Sequence, residues 1–175
     1  MKLYNFFRSG TSHRLRIALN LKGLSYDYVA VDLRNEEHLG AAFKAINPQG
    51  LVPALVVDDL VLVQSPAIIE WLEERYPTPA LLPADPLARA RARMIEEVCD
   101  THYEAINWGL SEITYFRRAE GELEQTLRDA AVAQIGRLNA WLERQLGEAD
   151  WLNGETFGWA DLSAIPYVQG AAGFG

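Results

Sequence analysis

The spacing of apolar side chains divides the chain into two stretches of different character. Residues 1–7 are rich in β-forming apolar and aromatic side chains, and Leu15, Ile17, Ala18, Leu19 and Leu21 then recur near helical spacing as far as Gly23. Residues 26–31 alternate as a strand does, and 36–46 predict a short helix with Leu39, Phe43 and Ile46 on one side. Residues 54–57 and 60–63 flank an Asp58-Asp59 turn as a hairpin would. Ser65 as N-cap and Pro66 at the first helical position predict a helix carrying Ile68, Ile69, Leu72 and Tyr76, stopped by Pro77. This order, βαβ followed by αββα, predicts an α/β layer.

Residues 77–86 hold four prolines in ten positions, which no regular element tolerates, so they read as a stiff linker between 1–76 and 87–175. Everything beyond reads as helix. One long helix is predicted from Leu87 towards Phe116, a second from about Glu120 to Leu146, and a third opening at Gly158-Trp159-Ala160-Asp161 with Leu162, Ile165 and Val168 facing inwards. Asp161 occupies the acidic position of a capping box, but Gly158 supplies no side-chain oxygen, so half of the box is missing. The glycine-rich residues 170–175 read as too weak to end a helix standing alone.

Composition narrows the partners. Among 175 residues, 16 basic and 24 acidic side chains leave a net charge of −8, which argues against nucleic acid or an anionic membrane as a general partner. Asp58-Asp59 splits the longest apolar run, and no secretory signal is legible. The single cysteine, Cys99, forms no internal disulfide and no Cys-x-x-Cys pair, which suits a reducing, cytoplasmic setting. No metal-binding motif is seen.

The stretch richest in chemistry is Arg8-Ser9-Gly10-Thr11-Ser12-His13-Arg14, between the first strand and the first helix. A helix N-terminus carries unpaired N–H groups and the positive end of the peptide dipoles, so an anion is stabilised there. Thr11 or Ser12 would serve as an ordinary N-cap. Alternatively, Ser9 donates to a thiolate brought in by a ligand, since such a site lowers a thiol's pKa from about 8.5. Tyr4, inside the strand, reads as a packing residue, and the dipole disfavours the charged form of His13.

With the run Arg14-Leu15-Arg16-Ile17-Ala18-Leu19, Val52-Pro53 and Gln64-Ser65 in order, the whole chain resembles the cytosolic glutathione transferases, its N-terminal half especially the zeta-class bacterial maleylpyruvate and maleylacetoacetate isomerases. The resemblance implies a thioredoxin-like N-terminal domain followed by an all-helical domain. It also implies glutathione as cosubstrate or cofactor, a small electrophile as second substrate, and a homodimer. Ser9 and Thr11 would be catalytic, with Gly10 admitting the peptide backbone closely. Val52 would pair with the cysteinyl unit beside a cis Pro53. Gln64 and Ser65 would hold the γ-glutamyl carboxylate, and His38 would lie near the glycyl end. His102, Tyr103 and Trp108 would line the second-substrate pocket.

The chain departs from the zeta pattern in several places. Gly10 and Thr11 stand where such enzymes commonly carry serine and cysteine, and Gly158 where the family usually builds its helix start with serine or threonine. The sequence also stops before the last helices and a C-terminal arginine of the isomerases. The primary expectation is a glutathione transferase acting on a small electrophile. A glutathione-dependent cis–trans isomerase and a non-enzymatic glutathione-binding module are the alternatives.

Overall fold

The computed structural model describes residues 1–174, and the chain divides into two units, Met1–Ala80 and Leu81–Gly175. In the first, β1 (Lys2–Asn5), β2 (Asp27–Ala30), β3 (Ala54–Val57) and β4 (Leu60–Val63) form one sheet in the order β2-β1-β3-β4. β1 runs parallel to β2 and antiparallel to β3, and β3 antiparallel to β4. The carboxyl ends of β1, β2 and β4 and the amino end of β3 therefore share one edge. Helices α1 (Gly10–Leu21) and α3 (Ser65–Arg75) both begin at that edge and pack on each other.

Period-two alternation gives the sheet two buried faces. Tyr4, paired with Ala54, packs with Val31 and Phe43, its ring 6.2 Å from that of Phe43. Leu3, paired with Leu55, points to the opposite face, and both are fully buried, as are Leu15, Ala18, Leu19, Ile68 and Leu72 of the two helices. Lys22 closes the end of α1: its buried ammonium pairs with Glu73 at 2.7 Å and donates to the carbonyls of Tyr76 (2.7 Å) and Pro79 (2.9 Å). Those contacts satisfy an ion that burial would otherwise penalise.

The single helix expected over 36–46 is instead two tight turns, Leu33–Asn35 and Glu37–Leu39, and a four-residue helix α2 (Ala41–Lys44). Glu36 adopts φ 57° and Gly40 is extended, so the helical ladder cannot run through either. Of the predicted apolar stripe Phe43 is buried, whereas Leu39 is 48% exposed.

The second unit is helical: α4 (Pro86–Val98), α5 (Glu104–Thr114), α6 (Gly121–Leu146) and α7 (Trp159–Ala172). The single helix expected from Leu87 to Phe116 is divided by a wider turn, Cys99–Tyr103, in π geometry. That turn buries Cys99 and Tyr103, and the Tyr103 hydroxyl donates to Asn139 Oδ1 at 2.8 Å. Burial is the main force raising the Tyr103 pKa, with Cys99 adding to it. α7 runs through Pro166 and ends at Ala172, inside the glycine-rich stretch. Leu162 faces inwards as predicted, but Val168 is 38% exposed and Tyr167 takes the interior. Asn107 donates to the Tyr167 carbonyl at 2.9 Å, and a Cβ at Gly170 would crowd that amide at 3.1 Å.

The start of α7 also corrects the missing half of the capping box. Asp161 accepts three backbone N–H groups, from Leu152 (2.7 Å), Asn153 (3.2 Å) and Gly158 (3.0 Å), while Asn153 Oδ1 accepts from Ala160 at 3.4 Å. A neighbouring loop thus supplies the oxygen that Gly158 lacks. A Cβ at Gly158 would collide with the Asn153 side chain and the Leu81 carbonyl, so a serine has no room there.

Candidate active site

Ser9, extended at φ −71° and ψ 124°, is the N-cap of α1, and its Oγ accepts the Ser12 N–H at 3.2 Å. The cap is therefore Ser9 rather than Thr11 or Ser12, and the helix opens at Gly10. Thr11 Oγ1 lies 3.2 Å from the Val52 carbonyl and 2.8 Å from Ser9 Oγ. A carbonyl only accepts, so the Thr11 proton lies towards Val52 and the proton of the second contact belongs to Ser9. Thr11, expected to be catalytic beside Ser9, has its single proton engaged with Val52. It braces the Ser9 hydroxyl against the loop that carries the cis Val52–Pro53 bond.

That loop is held in shape by its own residues and by the chain beside it. Asn47, buried, donates to the Leu51 carbonyl at 2.7 Å and accepts the Gln49 N–H at 3.1 Å. Gly50, at φ 67°, passes so close to His38 that a Cβ would lie 3.1 Å from the His38 carbonyl. His38 Nδ1 is buried and has no hydrogen-bond partner among the described residues.

At the start of α3 the cap residue is Gln64, at φ 67° with no side-chain cap bond, and Ser65 is the first helical residue rather than the cap. Ser65 Oγ instead accepts from Nε of buried Arg14 at 2.8 Å. A non-glycine residue held at positive φ stores about 1–3 kcal/mol, which is common where a backbone is presented to a ligand.

Arg14 and Arg16, two residues apart and so about 200° apart around the helix, reach in different directions. Arg16 grips the strand-to-helix loop through Asn5 Oδ1 (2.8 Å) and the carbonyls of Phe6 (3.4 Å) and Phe7 (3.0 Å). The Arg-x-Arg spacing was visible in the sequence, but the two partners were not. Partial burial, helped by Arg16, lowers the pKa of His13.

Ser9, Thr11, Val52, Pro53, Gln64, Ser65 and His38 all lie at the shared sheet edge or in the loops beside it. The three residues expected to line a second pocket do not stay together. His102 is exposed and borders an open groove of about 780 Å³ between α5 and α6, with Ile106, Leu110 and Arg137. Tyr103 is 1% exposed and spent on the core, and Trp108, 54% exposed, is not part of that groove. Among the described residues no group of three His, Cys, Asp or Glu side chains could hold a metal ion, and no helix is long and apolar enough to cross a membrane.

Two family models match this chain: the glutathione S-transferase N-terminal domain over residues 8–75 and the C-terminal domain over 115–173. A maleylpyruvate isomerase of Ralstonia sp. is 49% identical over 177 residues, spanning 100% of this chain and 74% of that one. The chain belongs to the glutathione S-transferase family. A maleylacetoacetate isomerase of Pseudomonas aeruginosa is 43% identical, over 100% of this transferase and 83% of its own length. Among solved structures, a holo maleylpyruvate isomerase, described as a bacterial zeta-class glutathione transferase, superposes with a TM-score of 0.87 at 47% identity, covering 99% of this chain and 84% of that one. These matches place the transferase with the zeta-class enzymes, on the family fold of a mixed four-stranded sheet unit followed by a helical unit.

Proposed function

We propose that this zeta-like transferase is a glutathione-dependent cis–trans isomerase of a maleyl-substituted keto acid such as maleylpyruvate or maleylacetoacetate. Identity of 43% or more across the whole chain with two relatives named for those reactions is the observation that carries the reading. It takes precedence over the broader expectation of a transferase that conjugates small electrophiles.

The donor set suits glutathione: a hydroxyl and unpaired amides at the start of α1, a second helix start at Ser65 without a capping side chain, and an orphaned ring nitrogen at His38. Glutathione supplies the nucleophilic sulfur, which an isomerisation returns unchanged. When glutathione binds, the Ser9 hydroxyl would turn from Thr11 Oγ1 to donate a hydrogen bond to that sulfur, and the first amides of α1 would favour its ionised form. Val52 would present its backbone to the cysteinyl unit, with Gly10 leaving the approach open. Gln64 and Ser65 would hold the γ-glutamyl carboxylate against the first turn of α3. The substrate's double bond opens, turns and closes with no net change in its atoms. A homodimer accords with the family and is checked by sedimentation.

The test follows substrate and cofactor together. Purified enzyme with maleylpyruvate or maleylacetoacetate and catalytic glutathione is expected to yield the fumaryl isomer while free thiol stays constant. Thiol consumed in step with product would return the assignment to a conjugating transferase, and no turnover with any electrophile would leave a binding module.

A further inference from the structure

Ser65 has been placed at a carboxylate site on the strength of the functional reading above, and the following rests on that reading. A serine hydroxyl carries one proton and two lone pairs, and left alone it turns freely between donating and accepting. Ser65 is not left alone: Arg14, on the second turn of α1 and 1% exposed, directs Nε–H onto Ser65 Oγ at 2.8 Å. A guanidinium never accepts, so the Ser65 proton cannot point back at Arg14. Nor does Ser65 cap its own helix, since the cap position belongs to Gln64.

We propose that Arg14 is the positioning residue of the carboxylate site: its buried Nε–H fixes Ser65 as an outward donor and polarises that hydroxyl towards a bound γ-glutamyl carboxylate. Chained hydrogen bonds strengthen one another in a poorly solvated setting, so the Arg14 contact makes Ser65 a better donor than an isolated serine. Arg14 itself touches no ligand. Because it reaches from α1 to α3, it also ties the sulfur-binding helix start to the carboxylate-binding one. A plain brace between two packed helices would do the same for stability, and the two roles separate by ligand: a brace affects every peptide alike, a positioning residue only those bearing the carboxylate.

The experiment compares glutathione with γ-aminobutyryl-cysteinyl-glycine, which lacks only the γ-glutamyl α-carboxylate, by calorimetric titration of the wild type, Arg14→Met, Ser65→Ala and the double variant. Loss of a hydrogen bond to a charged group is worth about tenfold to a hundredfold in affinity. Arg14→Met is expected to weaken glutathione by that factor and the truncated peptide by less than about twofold, with the double variant no worse than Ser65→Ala. The thiolate absorbance of bound glutathione against pH should stay as in the wild type. Equal weakening of both peptides, or of neither, overturns the proposal.

Should Arg14→Met fail to fold, wild-type protein decides by nuclear magnetic resonance. The Arg14 Nε–H signal should shift with glutathione and not with the truncated peptide, and a signal indifferent to the carboxylate overturns the proposal. Wild type that binds both peptides equally overturns the carboxylate site and this role with it. Wild type that binds neither overturns the glutathione reading itself.

Discussion

Because Ser9 Oγ accepts the Ser12 amide while its proton lies towards Thr11, Ser9→Ala removes a helix cap and a donor at once. The two losses have different signatures. Cap removal lowers stability by about 1 kcal/mol, read from denaturant unfolding. Loss of a donor aimed at a developing or resting anion lowers kcat/KM by about 10²–10³ and raises the pKa of bound glutathione's thiol, read from ultraviolet thiolate absorbance. Unchanged turnover would remove Ser9 from the chemistry. His13 gives a second residue-scale prediction with a definite sign. Its folded pKa lies below the ordinary 6.5, so folding favours the neutral ring. Its stabilising contribution is full above pH 6.5 and is lost as pH falls below that value. Replacing it by glutamine should flatten the slope of stability against pH on the acid side of 6.5. At this scale Ser9 was legible because a serine between a strand and a helix has few roles, whereas the partners of Arg14 and Thr11 lie 51 and 41 residues away in the chain.

Elements with strong local signals were read correctly in the hairpin around Asp58 and the long α6, and the start of α3 was read one residue late, with Gln64 rather than Ser65 at the cap. The misreadings have a common cause, in that tertiary partners overrode local pattern. The turn at Cys99–Tyr103 inserts into a run whose helical spacing is otherwise good, and its side chains meet partners distant in sequence, Tyr103 donating to Asn139 and Asp100 accepting from the Tyr167 hydroxyl. Tyr103→Phe should cost about 1 kcal/mol, the worth of one such hydrogen bond, measured by chemical denaturation. At the start of α7 Asp161 is the keystone, since its carboxylate accepts three amides of the preceding loop. Asp161→Ala is expected to destabilise the protein by about 2–4 kcal/mol, several times the loss for an ordinary surface acid.

At the scale of the molecule, sheet order explains why residues scattered from 9 to 65 meet at one edge: parallel β1 and β4 must launch their helices from the same side. The chain's strand and helix order could be read in advance, but the pairing that produces this edge could not. The net charge of −8 would repel the proposed anionic substrate at long range, while the helix starts would attract it locally. Salt screens the long-range repulsion first, so kcat/KM should rise by up to about twofold between low and physiological ionic strength. A fall would reveal a steering positive field instead. Lys22 carries a practical consequence of another kind. Lysine occurs only at positions 2, 22 and 44, and of these the ammonium of residue 22 alone is sealed from solvent. An amine-acylating reagent will mark the other two at once and reach Lys22 only when the first unit opens. Its labelling rate, read by mass spectrometry, is therefore an intrinsic clock for that opening.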